Sequence, residues 1–145
     1  MIKQMLILCT FSASFAGLAC EVTHSTADEN VRKIVKENGW GFHNYDAVCE
    51  KLRRANAALV TDGDATVLGN KSIAWATVGL KDKELMVFTN AFGGSSTKTN
   101  DYASMDTARK MLMETINSAV NNMDLDKAIQ SLNENRRQVK QAYGR

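Results

Sequence analysis

The run Ile73-Ala74-Trp75-Ala76-Thr77-Val78-Gly79-Leu80 decides the fold class, because it carries apolar residues on both faces of an extended chain. A strand that meets solvent on one side alternates apolar and polar residues, whereas one buried on both sides does not. The run therefore reads as the central strand of a sheet. Working outward, Gly69-Asn70-Lys71-Ser72 and Lys81-Asp82-Lys83 carry turn chemistry, as does Asp62-Gly63-Asp64 further upstream. Short apolar runs fill the intervals at 57–61, 65–68 and 84–89. Turn signals at this spacing describe an antiparallel meander of three to four strands. Segment 90–102, NAFGGSSTKTNDY, is polar and rich in Gly, Ser and Thr, and is expected to be a long loop.

The period changes on both sides of the meander. Thr26-Ala27-Asp28-Glu29 has the form of a capping box, with Thr26 at the N-cap and Glu29 at N3. Val31, Ile34 and Val35 follow at helical spacing, and Asn38-Gly39 supplies a stop. After the break Gly39-Trp40-Gly41-Phe42-His43, Asn44 opens a second helix with its stripe at Tyr45, Val48, Cys49 and Leu52. Downstream, Ser104 caps a helix whose stripe is Ala108, Met111, Leu112, Thr115, Ile116, Ala119, Val120 and Met123. Asp124 restarts the chain into a last helix through Leu125, Ala128, Ile129, Leu132, Val139 and Tyr143. The order α-α-β-β-β(β)-α-α is an α+β domain, with helices covering one face of the antiparallel meander. With no repeat and no linker in it, 20–145 reads as one domain.

The beginning of the chain belongs to a different class. Lys3 precedes the uncharged apolar stretch 5–15, and small residues follow at Ala16, Gly17 and Ala19. This is the order of a secretory signal peptide over 1–19, cleaved after Ala16 or Ala19. Gly17-Leu18-Ala19-Cys20 also resembles a bacterial lipobox, with Gly17 where an aliphatic residue usually stands. A lipid anchor through Cys20 is the variant of that reading. If Cys9 leaves with the signal, Cys20 and Cys49 remain, and an even pair in an exported chain implies one disulfide.

Composition narrows the function classes. The chain of 145 residues has a net charge of +2, with 44% hydrophobic and 23% charged residues. These values describe a folding domain with no global field for nucleic acid. The absence of proline from the sequence argues against Pro-rich linkers, PPII segments and collagen-like repeats. His24 and His43, the two histidines, are too few for a three-ligand metal site without help from other side chains. Asp62-Gly63-Asp64 departs from a calcium loop, because Thr66 stands where a third ligand belongs. Gly93-Gly94-Ser95-Ser96-Thr97-Lys98-Thr99 lacks the spacing of a phosphate-binding loop. Met105, Met111, Met113 and Met123 read as packing rather than a copper site, because Met111 and Met123 belong to the apolar stripe while Met113 points elsewhere. No catalytic set, cofactor or metal is expected.

The expected function is an exported, periplasmic or secreted protein-binding module, such as an inhibitor or immunity protein against an envelope-acting toxin or enzyme. The competing class is a small exported enzyme or ligand-binding protein. The partner is another protein, with a homodimer allowed. Surfaces free to recognise it are the 90–102 segment, through Phe92, Lys98 and Asp101, and then Trp40 and His43. The basic residues Arg136, Arg137 and Lys140 are read as a solvated helix face.

Overall fold

The computed structural model describes residues 20–144, so the expected signal segment and Cys9 lie outside the described residues. The expected α+β class is present. The elements are β1 (His24–Ser25), α1 (Glu29–Asn38), α2 (Tyr45–Arg54), β2 (Ala57–Leu68), β3 (Lys71–Asp82), β4 (Phe88–Asn100), α3 (Met105–Asn121) and α4 (Leu125–Tyr143). The sheet order is β1-β2-β3-β4, and β2, β3 and β4 pair antiparallel as a meander. β1 corrects the purely antiparallel expectation. It runs parallel to β2 through His24↔Leu59 and Ser25↔Val60, and two residues are too few for any periodicity to reveal.

Helices α3 and α4 pack on one face of the sheet. That face supplies Leu59, Thr61, Ala74, Ala76, Val78 and Leu80, which are buried with Leu112, Ile116, Ala119 and Leu132. At about 25 cal/mol per Å² of apolar surface, this layer is the main stabilising contact of the domain. The opposite face is open. Asp64, Trp75 and Thr97 lie in one cross-strand row, and Trp75 is 37% exposed. The expectation that Trp75 belongs to the core is therefore overturned. Strand β3 is central, but it is covered on one side.

Three segments differ from expectation. Asp62-Gly63-Asp64 is no turn, because β2 runs through it. Gly63 faces Ala76 across the ladder, where a Cβ would sit 2.6 Å from the Trp75 carbonyl oxygen. Glycine is needed for that approach, not for a reversal of the chain. Segment 84–89 holds the β3–β4 turn rather than a strand, since β4 begins at Phe88. The expected loop at 90–102 is mostly strand β4. Its composition misleads for a physical reason. Thr97 and Thr99 point to the open face, and Lys98 on the other face reaches Glu114 of α3 at 2.7 Å instead of a dry core. Threonine suits such a strand as well as it suits a loop.

Capping follows the same mixture. Asp28, not Thr26, caps α1 by accepting from the Val31 amide at 2.9 Å, while Thr26 Oγ1 accepts from the Asp28 amide at 3.1 Å. Asn44 precedes α2 in a left-handed conformation without a side-chain cap bond. Ser104 and Asp124 cap α3 and α4 as their sequence implies, through the amides of Thr107 and Lys127. Met113, expected to point away from the stripe, is buried in the core cluster.

The disulfide expected from cysteine parity is present. Cys20 and Cys49 are bonded with their Cα atoms 6.0 Å apart, and Cys49 is buried on the inner side of α2. Closing a separation of 29 residues is worth about 3–4 kcal/mol in the chain-entropy model. Urea unfolding with and without dithiothreitol is expected to show a loss of about 3 kcal/mol on reduction. Equal midpoints would mean that the bond contributes nothing to stability.

Candidate functional site

The turn between β3 and β4 is built around a buried carboxylate. Asp82 is 5% exposed. One of its oxygens accepts from the amides of Glu84 and Leu85, and the other from the Arg136 guanidinium of α4. Arg136 also donates to the Asn56 carbonyl at 3.0 Å and to Asn133 Oδ1 at 2.7 Å. Asn135 Nδ2 holds the Phe88 carbonyl at 2.7 Å. Burial pushes the Asp82 carboxyl up, but the two amides and Arg136 outweigh it and hold the group below the ordinary aspartate value. Arg136 is thus spent inside the molecule. The solvated basic face expected at 136–140 loses its first member, and Arg137 is paired with Glu134 at 2.7 Å.

What this scaffold holds out to solvent is apolar. Met86 is 86% exposed at the tip, flanked by Leu85 and Phe88. Val139 and Tyr143 of α4 are exposed beside them, and Met86, Phe88, Val139 and Tyr143 share a shallow groove of 360 Å³. Exposed apolar groups this close together are uncommon on a monomeric surface unless something covers them. Sequence reasoning missed this surface, because 84–89 looked like a buried strand. The turn chemistry of Lys81-Asp82-Lys83 was the local sign, and it lies just ahead of the actual turn.

The residues expected to contact a partner fall into separate groups. Phe92 sits where β4 bulges, with φ at +59°, a conformation rare for an aromatic residue. Its carbonyl accepts from the Asp124 amide at 3.2 Å, and Lys127 Nζ lies 5.6 Å from its ring centroid. The ring is 53% exposed. His43 reaches the same α3–α4 corner from the other side, its amide donating to Asn121 Oδ1 at 2.8 Å. Lys98 and Asp101 lie towards the far end of β4. Gly94 and Asn100 alone are six residues apart, or about 20 Å along a strand. Lys98 pairs with Glu114 and Asp101 with Lys71. Trp40 belongs to neither group. It is half-buried between Phe42, at 5.4 Å, and His24, whose ring meets it edge-on at 5.3 Å.

His24 and Trp40 line a cleft of 820 Å³ between the β1 strand and α1. The His24 Nε2 atom shares a short hydrogen bond with Thr61 Oγ1. Burial first, and then the charge of Arg32, holds the His24 pKa below its ordinary value. The two histidines do not converge, since His43 lines a different hollow beside the α3–α4 corner. Among the described residues, no group of three or more His, Cys, Asp or Glu side chains could hold a metal ion, and no helix is long and apolar enough to cross a membrane. Comparison with protein-family models, with curated proteins and with solved structures finds no match to this chain.

Proposed function

We propose that this chain is an exported protein-binding module of the inhibitor or immunity type, which docks a partner protein on the β4–α4 edge. The observation that carries this reading is the pinned apolar tip. Met86 and its neighbours are exposed, yet the backbone beneath them is tied to Asp82, Asn135 and Arg136. A rigid apolar projection loses little entropy when it is covered, and that favours tight docking. Phe92 extends the same edge towards the start of α4, where Lys127 sits over its ring. Export is supported by the Cys20–Cys49 bond, which belongs to an oxidising compartment.

The test is a photo-crosslinking residue placed at position 86 in producing cells, with one at the exposed Lys33 of α1 as control. A discrete protein adduct is expected at 86 and not at 33. Met86→Asp is expected to remove the adduct that a crosslinker at Phe88 forms. Because Met86 has lost little on leaving water, the same substitution should change stability by no more than about 0.5 kcal/mol. An adduct of twice the chain's own mass would identify the partner as a second copy. Failure to crosslink at both 86 and 88 would overturn the proposal.

A further inference from the structure

A second concave surface lies away from the β4–α4 edge and has a different chemistry. The cleft between β1 and α1 has an apolar floor made by Val22 and Val35, both buried, with the half-buried rings of Trp40 and Tyr45. Its wall at 20–23 is held in two ways. Cys20 is bonded to Cys49, and the Tyr45 hydroxyl accepts from the Val22 amide at 3.2 Å while donating to the Cys20 carbonyl at 3.3 Å. The opposite wall presents Arg32 and Lys36, one helical turn apart on the same side of α1. Lys33 points elsewhere and pairs with Glu37. Arg32 spends one nitrogen on the Thr26 carbonyl, at 3.1 Å, which fixes the guanidinium at the rim.

From this arrangement we infer that the cleft binds a small organic carboxylate, its apolar body on Trp40 and Tyr45 and its charge between Arg32 and Lys36. Glu21 is the one carboxylate of the lining, and against Arg32 and Lys36 it leaves a single net positive charge, which suits a monoanion. The depressed pKa of His24 keeps that ring neutral near pH 7, so it serves as an apolar and hydrogen-bonding wall rather than a third cation. Pockets of this size that combine apolar lining with a few placed charges are the usual form of a small-ligand site. This inference does not rest on the partner-docking reading, because the two surfaces share no residue.

The two tryptophans of the chain make the test direct. Trp75 lies on the open sheet face, so Trp75→Phe leaves Trp40 as the single emitter, within the cleft. The probe is 4-phenylbutyrate, and 4-phenyl-1-butanol is its uncharged counterpart. A saturable change in Trp40 emission is expected, with the acid bound at least about tenfold more tightly than the alcohol. Lys36→Gln should weaken the acid about fivefold or more while leaving the alcohol and the thermal midpoint unchanged. Equal binding of acid and alcohol, an unaltered response in Lys36→Gln, or no saturable change would each overturn the inference.

Discussion

Gly94→Ala is expected to prevent the chain from reaching this fold. Gly94 pairs with Val78 in β4 and faces α3, and a Cβ there would lie 1.6 Å from the Ala119 carbonyl oxygen and 3.0 Å from the Met123 amide nitrogen. Both are main-chain atoms. No rotamer change can relieve the clash, so the end of α3 would have to lift from the sheet. Ala119, Val120 and Met123 would lose their packing as it did so, and all are buried in the core cluster. Overpacking usually costs about 1–3 kcal/mol where side chains can give way. Here a helix end must move, and the loss should exceed about 4 kcal/mol, a large share of the roughly 5–15 kcal/mol that stabilises a small domain. Chemical unfolding or a thermal scan of the variant reads the result. A midpoint within a few degrees of the parent would show that α3 does not approach β4 as closely as described.

Arg136→Met is expected to cost about 3 kcal/mol, because it takes the counter-charge and a charge-assisted hydrogen bond from the Asp82 carboxylate and leaves it only the Glu84 and Leu85 amides. The side chains of this pair are 5% and 16% exposed for Asp82 and Arg136, but the pair sits in a surface turn, where nearby solvent still screens part of the charge. The substitution also removes one of the two donors to the carbonyl of Asn56, the left-handed residue that ends the α2–β2 connection, and leaves it the Lys83 amide at 3.1 Å. The pH dependence follows from the depressed Asp82 value. The unfolded chain takes up the proton more readily than the folded one, so the Asp82 contribution is whole above about pH 4, the unfolded aspartate value. It is lost as the pH falls through the lower folded value. The stability gap between parent and Arg136→Met should therefore narrow below about pH 4. Denaturant titrations at pH 7 and pH 3 measure the gap. If it is the same at both, Arg136 acts by packing rather than by charge. Asp82→Asn combined with Arg136→Met should recover part of the loss, since it removes the unpaired charge.

These two residues show how unevenly the sequence discloses its structure. Arg136 was legible as a cation on a helix, and nothing within 54 residues of it pointed to Asp82, its partner in the fold. Gly94 stood in a Gly-Gly-Ser-Ser stretch that has the composition of a loop. The reason for glycine there is a helix backbone, which comes from another part of the chain. The candidate surfaces suffered in the same way. Phe92 and Trp40 were conspicuous as aromatics in polar or Gly-flanked segments, but Met86 was hidden in an apolar run that resembled a buried strand. His24 was noted only as one of two histidines. Its meeting with Trp40, and so the cleft, depends on a two-residue parallel strand.

What the sequence determined by itself was whatever repeats within a few residues or follows from counting. The helical stripes of α3 and α4, their caps at Ser104 and Asp124, the meander around 73–80 and the α+β class all rest on local periodicity, because side-chain direction follows backbone geometry. The Cys20–Cys49 pairing follows from parity once an exported chain is assumed. Tertiary structure alone decided which face of β3 stays open, whether 90–102 is strand or loop, where Arg136 spends its charge and which apolar side chains remain in water. Periodicity says which side chains share a face. It does not say what will cover that face, since the covering group comes from distant sequence and its contribution appears only when the layers pack.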